Sequence, residues 1–231
     1  MCIRDRNRRL IPEELLSEEE VLKLVNACDC LRDKALILTL YETGCRIGEI
    51  LSLQIKDVRF DDDDAILLVN GKTGMRRVRI IASAPKLVQW INNHPLKHDP
   101  EAPLWPILNG KNRGKPSSYS SFKELLHKIA KKAEIKKRIY PHLFRHSRAT
   151  LLANYLRETQ LKQYLGWVQS SKMAAVYVHL SGRDVDDALL KLNRLKRKQR
   201  RDFILKVKIC SKCGTKNSPD EKICIKCYAE L

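Results

Sequence analysis

The stretch PHLFRHSRAT, residues 141–150, sets His142 and Arg145 three residues apart and follows them with His146 and Arg148. Leu143, Phe144, Ala149, Leu151 and Leu152 supply the apolar positions of a buried helix over the same turns. On a helix His142 and Arg145 share a face. Two cationic or proton-carrying groups side by side repel each other unless an anion lies between them, so the pair predicts an anion-binding site.

A phosphodiester is one such anion, and cutting it without metal or water has definite requirements. A tyrosine can attack phosphorus and hold it covalently, because phenolate both attacks and leaves. The pentacoordinate state gains charge on its non-bridging oxygens, which arginine forks can clamp. One group must protonate the departing 5′ oxygen and another must take the tyrosine's proton. A chain offering Arg, Lys, His and Tyr at separate polar spots amid apolar helices can meet all of these demands.

Composition agrees with a polyanionic partner. Among 231 residues, 45 Lys and Arg face 27 Asp and Glu, for a net charge of +18. Such a balance favours nucleic acid, and less often a membrane surface or a merely basic soluble protein. At 43% hydrophobic the chain can bury a core, and its length suits one full domain plus a small appendage. No apolar run is long enough to span a bilayer and no secretory signal is visible, so a cytoplasmic, nucleoid-associated protein is expected. MCIRDR at the start fits neither a helix start nor a targeting pattern. Residues 1–10 read as a non-native or truncated remnant, with a native N-terminal segment expected before them.

The elements that must position the chemistry follow from pattern. A helix is predicted from Pro12 to Ala27, with Ser17 and Glu20 as a capping box. A nearly all-apolar helix follows from Leu31 to Tyr41, stopped by Gly44, and a third runs from Arg46 to Leu53. DVRF, AILLV and RRVRII then read as short strands, separated by the acidic turn Asp61–Asp64 and the hairpin tip NGKTG. Helix resumes from Ala84 to Asn93, and His94 to Pro116 is a long loop. SSFKELLHKIAKKAE gathers Phe122, Leu125, Leu126, Ile129, Ala130 and Ala133 on one face. The PHLFRHSRAT helix, TQLKQYLGW, SKMAAVYVHL and a helix from about Val185 complete the series. The fold class is mainly α with a small antiparallel β-sheet (α+β).

The cysteines divide into two kinds. Cys2, Cys28, Cys30 and Cys45 are scattered in apolar or helical context and read as small hydrophobes. Cys210, Cys213, Cys224 and Cys227 form C-x2-C-x10-C-x2-C in a tail too short to bury a core. Four paired thiolates at that spacing predict a structural Zn²⁺ in a ribbon at residues 209–231, with Gly214 making the turn. The segment 191–208 before it carries nine Lys or Arg against one Asp and reads as a basic helix or linker.

TGCRIGEIL, GKTGMRR, HLFRHSRAT, LGW and AVYVHL, in that order, resemble the tyrosine recombinase (phage integrase) family, close to its Xer-like and archaeal members. The resemblance covers residues 11–190, the family's catalytic domain. It implies that Arg46 and Arg145 grip the scissile phosphate, that Lys72 is the general acid toward the 5′ oxygen, and that His142 transfers a proton and contacts the phosphate. Tyr177 would be the nucleophile, forming a 3′-phosphotyrosyl link, with Glu49 and His146 supporting from behind. No catalytic metal or nucleotide is implied. Trp167 stands where most members carry His; its indole N–H can donate to phosphate but cannot shuttle a proton. Tyr177 follows Trp167 by ten residues, one more than the commonest spacing.

Plainer readings compete at each position. Arg46 and Glu49 also suit a simple helix ion pair, Lys72 a solvated turn lysine beside Arg76 and Arg77, and Trp167 a core position. Tyr155 and Tyr164 compete with Tyr177, and Tyr140 before Pro141 reads as structural. The family resemblance also implies double-stranded DNA as partner, self-association as a tetramer on recombining sites, and an N-terminal core-binding domain not contained in this chain. Lys191, Arg194, Arg197, Arg200 and Arg201 are the expected linker contacts to DNA, while the ribbon could bind either DNA or a neighbouring protomer. A DNA-binding remnant or regulator that does not cut is the alternative function, and a relaxing topoisomerase a third.

Overall fold

Ser17 opens the first helix by holding its neighbours in two directions. Its Oγ accepts the Glu20 N–H at 3.2 Å, and the Glu20 carboxylate accepts the Ser17 N–H at 2.9 Å. The capped helix is α1 (Glu18–Ala27), and Pro12–Glu14 is a separate 3-10 turn. The single helix predicted from Pro12 is therefore divided, because Ser17 is extended (φ −78°, ψ 162°) and cannot continue a helix. The computed structural model describes residues 12–61, 64–181, 189–190, 192–193 and 204–231.

Helix α2 (Leu31–Thr43) is buried around most of its circumference, which its apolar sequence requires. It ends at Gly44 in the left-handed region (φ +58°), where the N–H of Gly44 bonds back to the carbonyls of Leu40 and Tyr41. One turn later α3 (Ile47–Leu51) begins, with Arg46 as its N-cap rather than its first residue. Strands β1 (Val58–Phe60), β2 (Ala65–Gly71) and β3 (Gly74–Ile80) form an antiparallel meander in that order. Gly71 pairs with Gly74, leaving Lys72 and Thr73 as the two-residue tip.

Glu42 of α2 fixes the next connection. Its buried carboxylate accepts the N–H groups of Ile81, Ala82 and Ser83 and the Ser83 hydroxyl, at 2.6–2.9 Å. Helix α4 (Ala84–Asn92) starts from that anchor. After the long loop come α5 (Tyr119–Lys132), α6 (Pro141–Ala153), α7 (Glu158–Leu165) and α8 (Met173–Ser181). The principal core joins α1 to α6 with the sheet around Trp105, Phe122 and Phe144. Ala149, Ala153, Leu161, Leu165, Ala174 and Tyr177 make a second, smaller cluster between α6, α7 and α8. Among the described residues no helix is long and apolar enough to cross a membrane.

The C-terminal segment folds around two short paired strands, β4 (Lys208–Ile209) and β5 (Lys216–Asn217). It docks on α4 through Lys86, whose Nζ lies 2.9 Å from Asp220 Oδ2 and also pairs with Glu221. The expected linker contacts Lys191, Arg194, Arg197, Arg200 and Arg201 lie outside the described residues.

Candidate active site

The Arg145 side chain enters the protein from the first turns of α6 and is only 4% exposed. Its Nη1 donates to the Gly44 carbonyl at 2.9 Å and its Nη2 to the Leu165 carbonyl at 2.8 Å. The guanidinium also lies 5.2 Å from the centre of the Trp167 ring. Among the described residues its hydrogen bonds go only to backbone carbonyls, so this buried cation has dipoles but no paired carboxylate. Burial, and then repulsion from Arg46, lower its pKa to about 10. An incoming anion would relieve that strain.

Arg46 reaches the same region from the N-terminus of α3. Its Nη1 donates to Glu49 Oε1 at 2.9 Å, and its backbone N–H donates to Glu49 Oε2 at 3.0 Å. Arg46 is 30% exposed against 6% for Glu49, so the carboxylate holds a guanidinium that still faces outward. Glu49 is shared with a third arginine. Arg76 Nη2 donates to Oε2 at 2.7 Å and Nη1 to Oε1 at 3.3 Å. Burial alone would raise the Glu49 pKa, but the bonds from Arg76 and Arg46 hold it below the ordinary carboxylate value.

Arg76 also donates from Nε to the Tyr164 carbonyl at 3.3 Å and from Nη2 to Cys45 Sγ at 3.2 Å. Two glycines make room for it. A Cβ at Gly71 would lie 2.5 Å from Glu49 Oε1, and one at Gly166 would lie 2.7 Å from Arg76 Nη1. This arginine went unassigned in the sequence reading, although the strand pattern contains its signal. Val78 and Ile80 are buried, so period-2 alternation puts Arg76 on the inward face. A charge there needs a partner.

Tyr177 projects from α8 and is 4% exposed. Its ring stacks on Trp167 with planes 7° apart and centroids separated by 5.5 Å. Its Oη lies 2.5 Å from His146 Nδ1. Burial pushes the Tyr177 phenol up to about 12, against a lowering pull from Arg145. His142 is exposed one turn before His146, with the two rings 6.0 Å apart. Both imidazoles have lowered pKa values: burial and then Arg145 and Arg46 act on His142, and burial and then His142 and Arg145 act on His146. The sequence assigns His146 a supporting place; in the structure it touches the Tyr177 hydroxyl directly.

Lys72 is exposed at the hairpin tip. The neighbouring Thr73 donates to the Gly166 carbonyl at 3.4 Å, which brings the tip up to the turn carrying Trp167. The competing tyrosines have other contacts. The Tyr164 hydroxyl donates to the carbonyls of Glu42 and Arg79, at 3.2 and 3.4 Å, and burial raises its pKa strongly.

Ligand atoms of Cys210, Cys213, Cys224 and Cys227 all lie within 4.8 Å of one another. Cys210 to Cys227 is 3.5 Å and Cys213 to Cys224 is 3.6 Å. Zinc–thiolate bonds of about 2.3 Å in a tetrahedron set sulfurs about 3.8 Å apart, so the set fits a four-coordinate ion.

The profile of the phage integrase family matches residues 14–183. This chain belongs to that family. The integrase-family chain is 30% identical over 191 residues to tyrosine recombinase XerA of Pyrococcus furiosus, an alignment covering 80% of this chain and 65% of the relative. It therefore spans less than two thirds of that relative's length. The crystal structure of XerA recombinase superposes with a TM-score of 0.62 at 23% identity, covering 84% of this chain and 67% of that one. XerH recombinase in a post-cleavage complex with palindromic difH substrate gives 0.59 at 23% identity, covering 80% and 53%. At these identities the structural likeness speaks for the fold, which is mainly helical with small antiparallel sheets as the sequence predicts.

Proposed function

We propose that this integrase-family chain is the catalytic part of a site-specific DNA recombinase that cuts and rejoins strands through a 3′-phosphotyrosyl intermediate on Tyr177. The observation that carries this reading is the convergence of Arg145, Trp167 and Tyr177. A buried guanidinium with no paired carboxylate among the described residues, an indole and a tyrosine stack in sequence at 5.2 and 5.5 Å. In this reading the scissile phosphate sits between Arg46 and Arg145, His142 contacts it from the exposed turn of α6, and Lys72 protonates the leaving 5′ oxygen from the hairpin tip. Trp167 orients Tyr177 and donates its N–H; Glu49 aims Arg46.

A basic groove of about 1280 Å³ between α5 and residues 135–141, lined by Lys123, Lys128, Lys131, Lys136, Lys137 and Arg138, suits the flanking DNA backbone. Assembly of several copies on paired DNA sites belongs to the same reading, as do the linker cations Lys191, Arg194, Arg197, Arg200 and Arg201. The ion for the four-cysteine set is assigned as structural Zn²⁺, since four thiolates leave no position open for chemistry.

The test uses nicked duplexes enriched from a randomised pool by covalent capture, with the reaction stopped in SDS. A shifted protein–DNA band that vanishes in Tyr177→Phe supports a phosphotyrosyl enzyme. Retained DNA binding without a band supports the non-cutting regulator instead. Supercoil relaxation without pairing of two sites would favour a topoisomerase.

A further inference from the structure

Trp167 stacks on Tyr177, but its indole N–H can only donate, so the tyrosine proton needs an acceptor elsewhere. His146 supplies one: its Nδ1 is 2.5 Å from the Tyr177 Oη, across the small cluster joining α6 to α8. His142, the histidine of the H-x-x-R motif, is exposed, and its ring lies 6.0 Å from that of His146. Within the proposed function, on which this inference rests, we propose that His146 is the general base that takes the proton of Tyr177 and returns it on religation.

Neutral His146, with its ring proton on Nε2, accepts the Tyr177 hydroxyl proton at Nδ1 while Oη forms its bond to phosphorus. The bond from phosphorus to the 5′ oxygen breaks, and that oxygen leaves as a hydroxyl protonated from Lys72. Religation runs in reverse, and the imidazolium gives its proton back to the departing tyrosine oxygen. The charged and titratable groups facing His146 are His142 and Arg145 on its own helix and Tyr177 on α8. The first two are cationic or can become so, which together with burial keeps His146 neutral and able to accept at pH 7. Tyr177, held up at about 12, does not ionise unaided in that range.

The test measures covalent-complex formation against pH on the captured nicked duplexes, with the full chain. The wild-type rate should rise through one ionisation below the ordinary histidine value and then level off. His146→Gln should cut about 100-fold more slowly near pH 7, bind DNA as before, and recover steadily as pH is raised. Added imidazole should rescue His146→Gly and leave the wild type unchanged. Wild-type rates in His146→Gln with the same pH limb would overturn the proposal, as would loss of that limb in His142→Gln alone. A wild-type chain that captures no duplex at all defeats the proposed function before any variant is compared. Independently of activity and of any folding defect in the variants, ¹⁵N shifts of the wild-type protein should show His146 as the Nε2–H tautomer; an Nδ1–H tautomer overturns the assignment.

Discussion

Lys86 of α4 and Asp220 of the C-terminal segment form an ion pair at 2.9 Å with side chains 3% and 2% exposed. Asp220 lies between the two cysteine pairs, so the four-cysteine segment is fastened to the helical domain through one buried charge. Removing one member of a buried pair typically costs about 3–5 kcal/mol, because its partner is left desolvated and alone. Lys86→Ala is therefore expected to lower the unfolding temperature by roughly 10 °C. Chelation of the proposed ion should lower it in the same direction by loosening the same segment. Scanning calorimetry with and without chelator checks both; a change under roughly 2 °C in either would sink the idea.

Arg76 and Arg46 compete for one carboxylate. Without Arg76, Arg46 is the one cation among the described residues still hydrogen-bonded to the buried Glu49, and it should be drawn inward. Arg76→Met is expected to destabilise by about 3 kcal/mol and to slow the cleavage proposed for this chain. In the double variant Arg76→Met/Glu49→Gln, part of both losses should return, since the orphaned charge is gone. Strictly additive effects in urea unfolding and cleavage would show that the residues act separately.

Gly166 combines a left-handed backbone (φ +65°) with a Cβ direction that ends 2.7 Å from Arg76 Nη1. Gly166→Ala should therefore cost about 2 kcal/mol through backbone strain and displacement of Arg76. Chemical denaturation should report it as a lower midpoint with an unchanged slope. Gly48→Ala, where a Cβ meets nothing within 4 Å, is the matched control.

Acid should weaken the fold early. His94, His142 and His146 all have lowered pKa values, each chiefly through burial. Leu96 N–H donates to His94 Nδ1 at 3.0 Å, a bond that protonation at Nδ1 would abolish. Unfolded imidazoles take up protons near pH 6.5, before these folded ones do. Above that value neither state is charged and stability is level; below it the unfolded chain binds protons first and stability falls. Unfolding temperatures measured from pH 8 to pH 5 should decline below about 6.5, and less so in His94→Gln. A flat profile would contradict this.

Much of the fold was legible because its signals are local. The Ser17–Glu20 box, the Gly44 stop and the two-glycine hairpin are each set by residues within a few positions of one another. The face shared by His142 and Arg145 follows from helical spacing alone. Contacts made across the chain left no such trace. The Lys86–Glu221 pair joins residues 135 positions apart, and the approach of His146 to Tyr177 depends on how α8 settles against α6. Arg76 lay between the two cases: its strand parity marked it as inward, but its partner on α3 could be found only in three dimensions.

The cluster that seats Tyr177 has a further consequence. Three alanines, two leucines and the tyrosine itself form it, apart from the principal core built on α2. With fewer fully buried side chains than the principal core, α8 is expected to open as a separate unit while α1 to α6 stay folded. Its amides should exchange with deuterium ahead of those in α2. Within the proposed function, the reacting hydroxyl would thus be carried by the part of the molecule expected to loosen before the helices that carry Arg46 and Arg145.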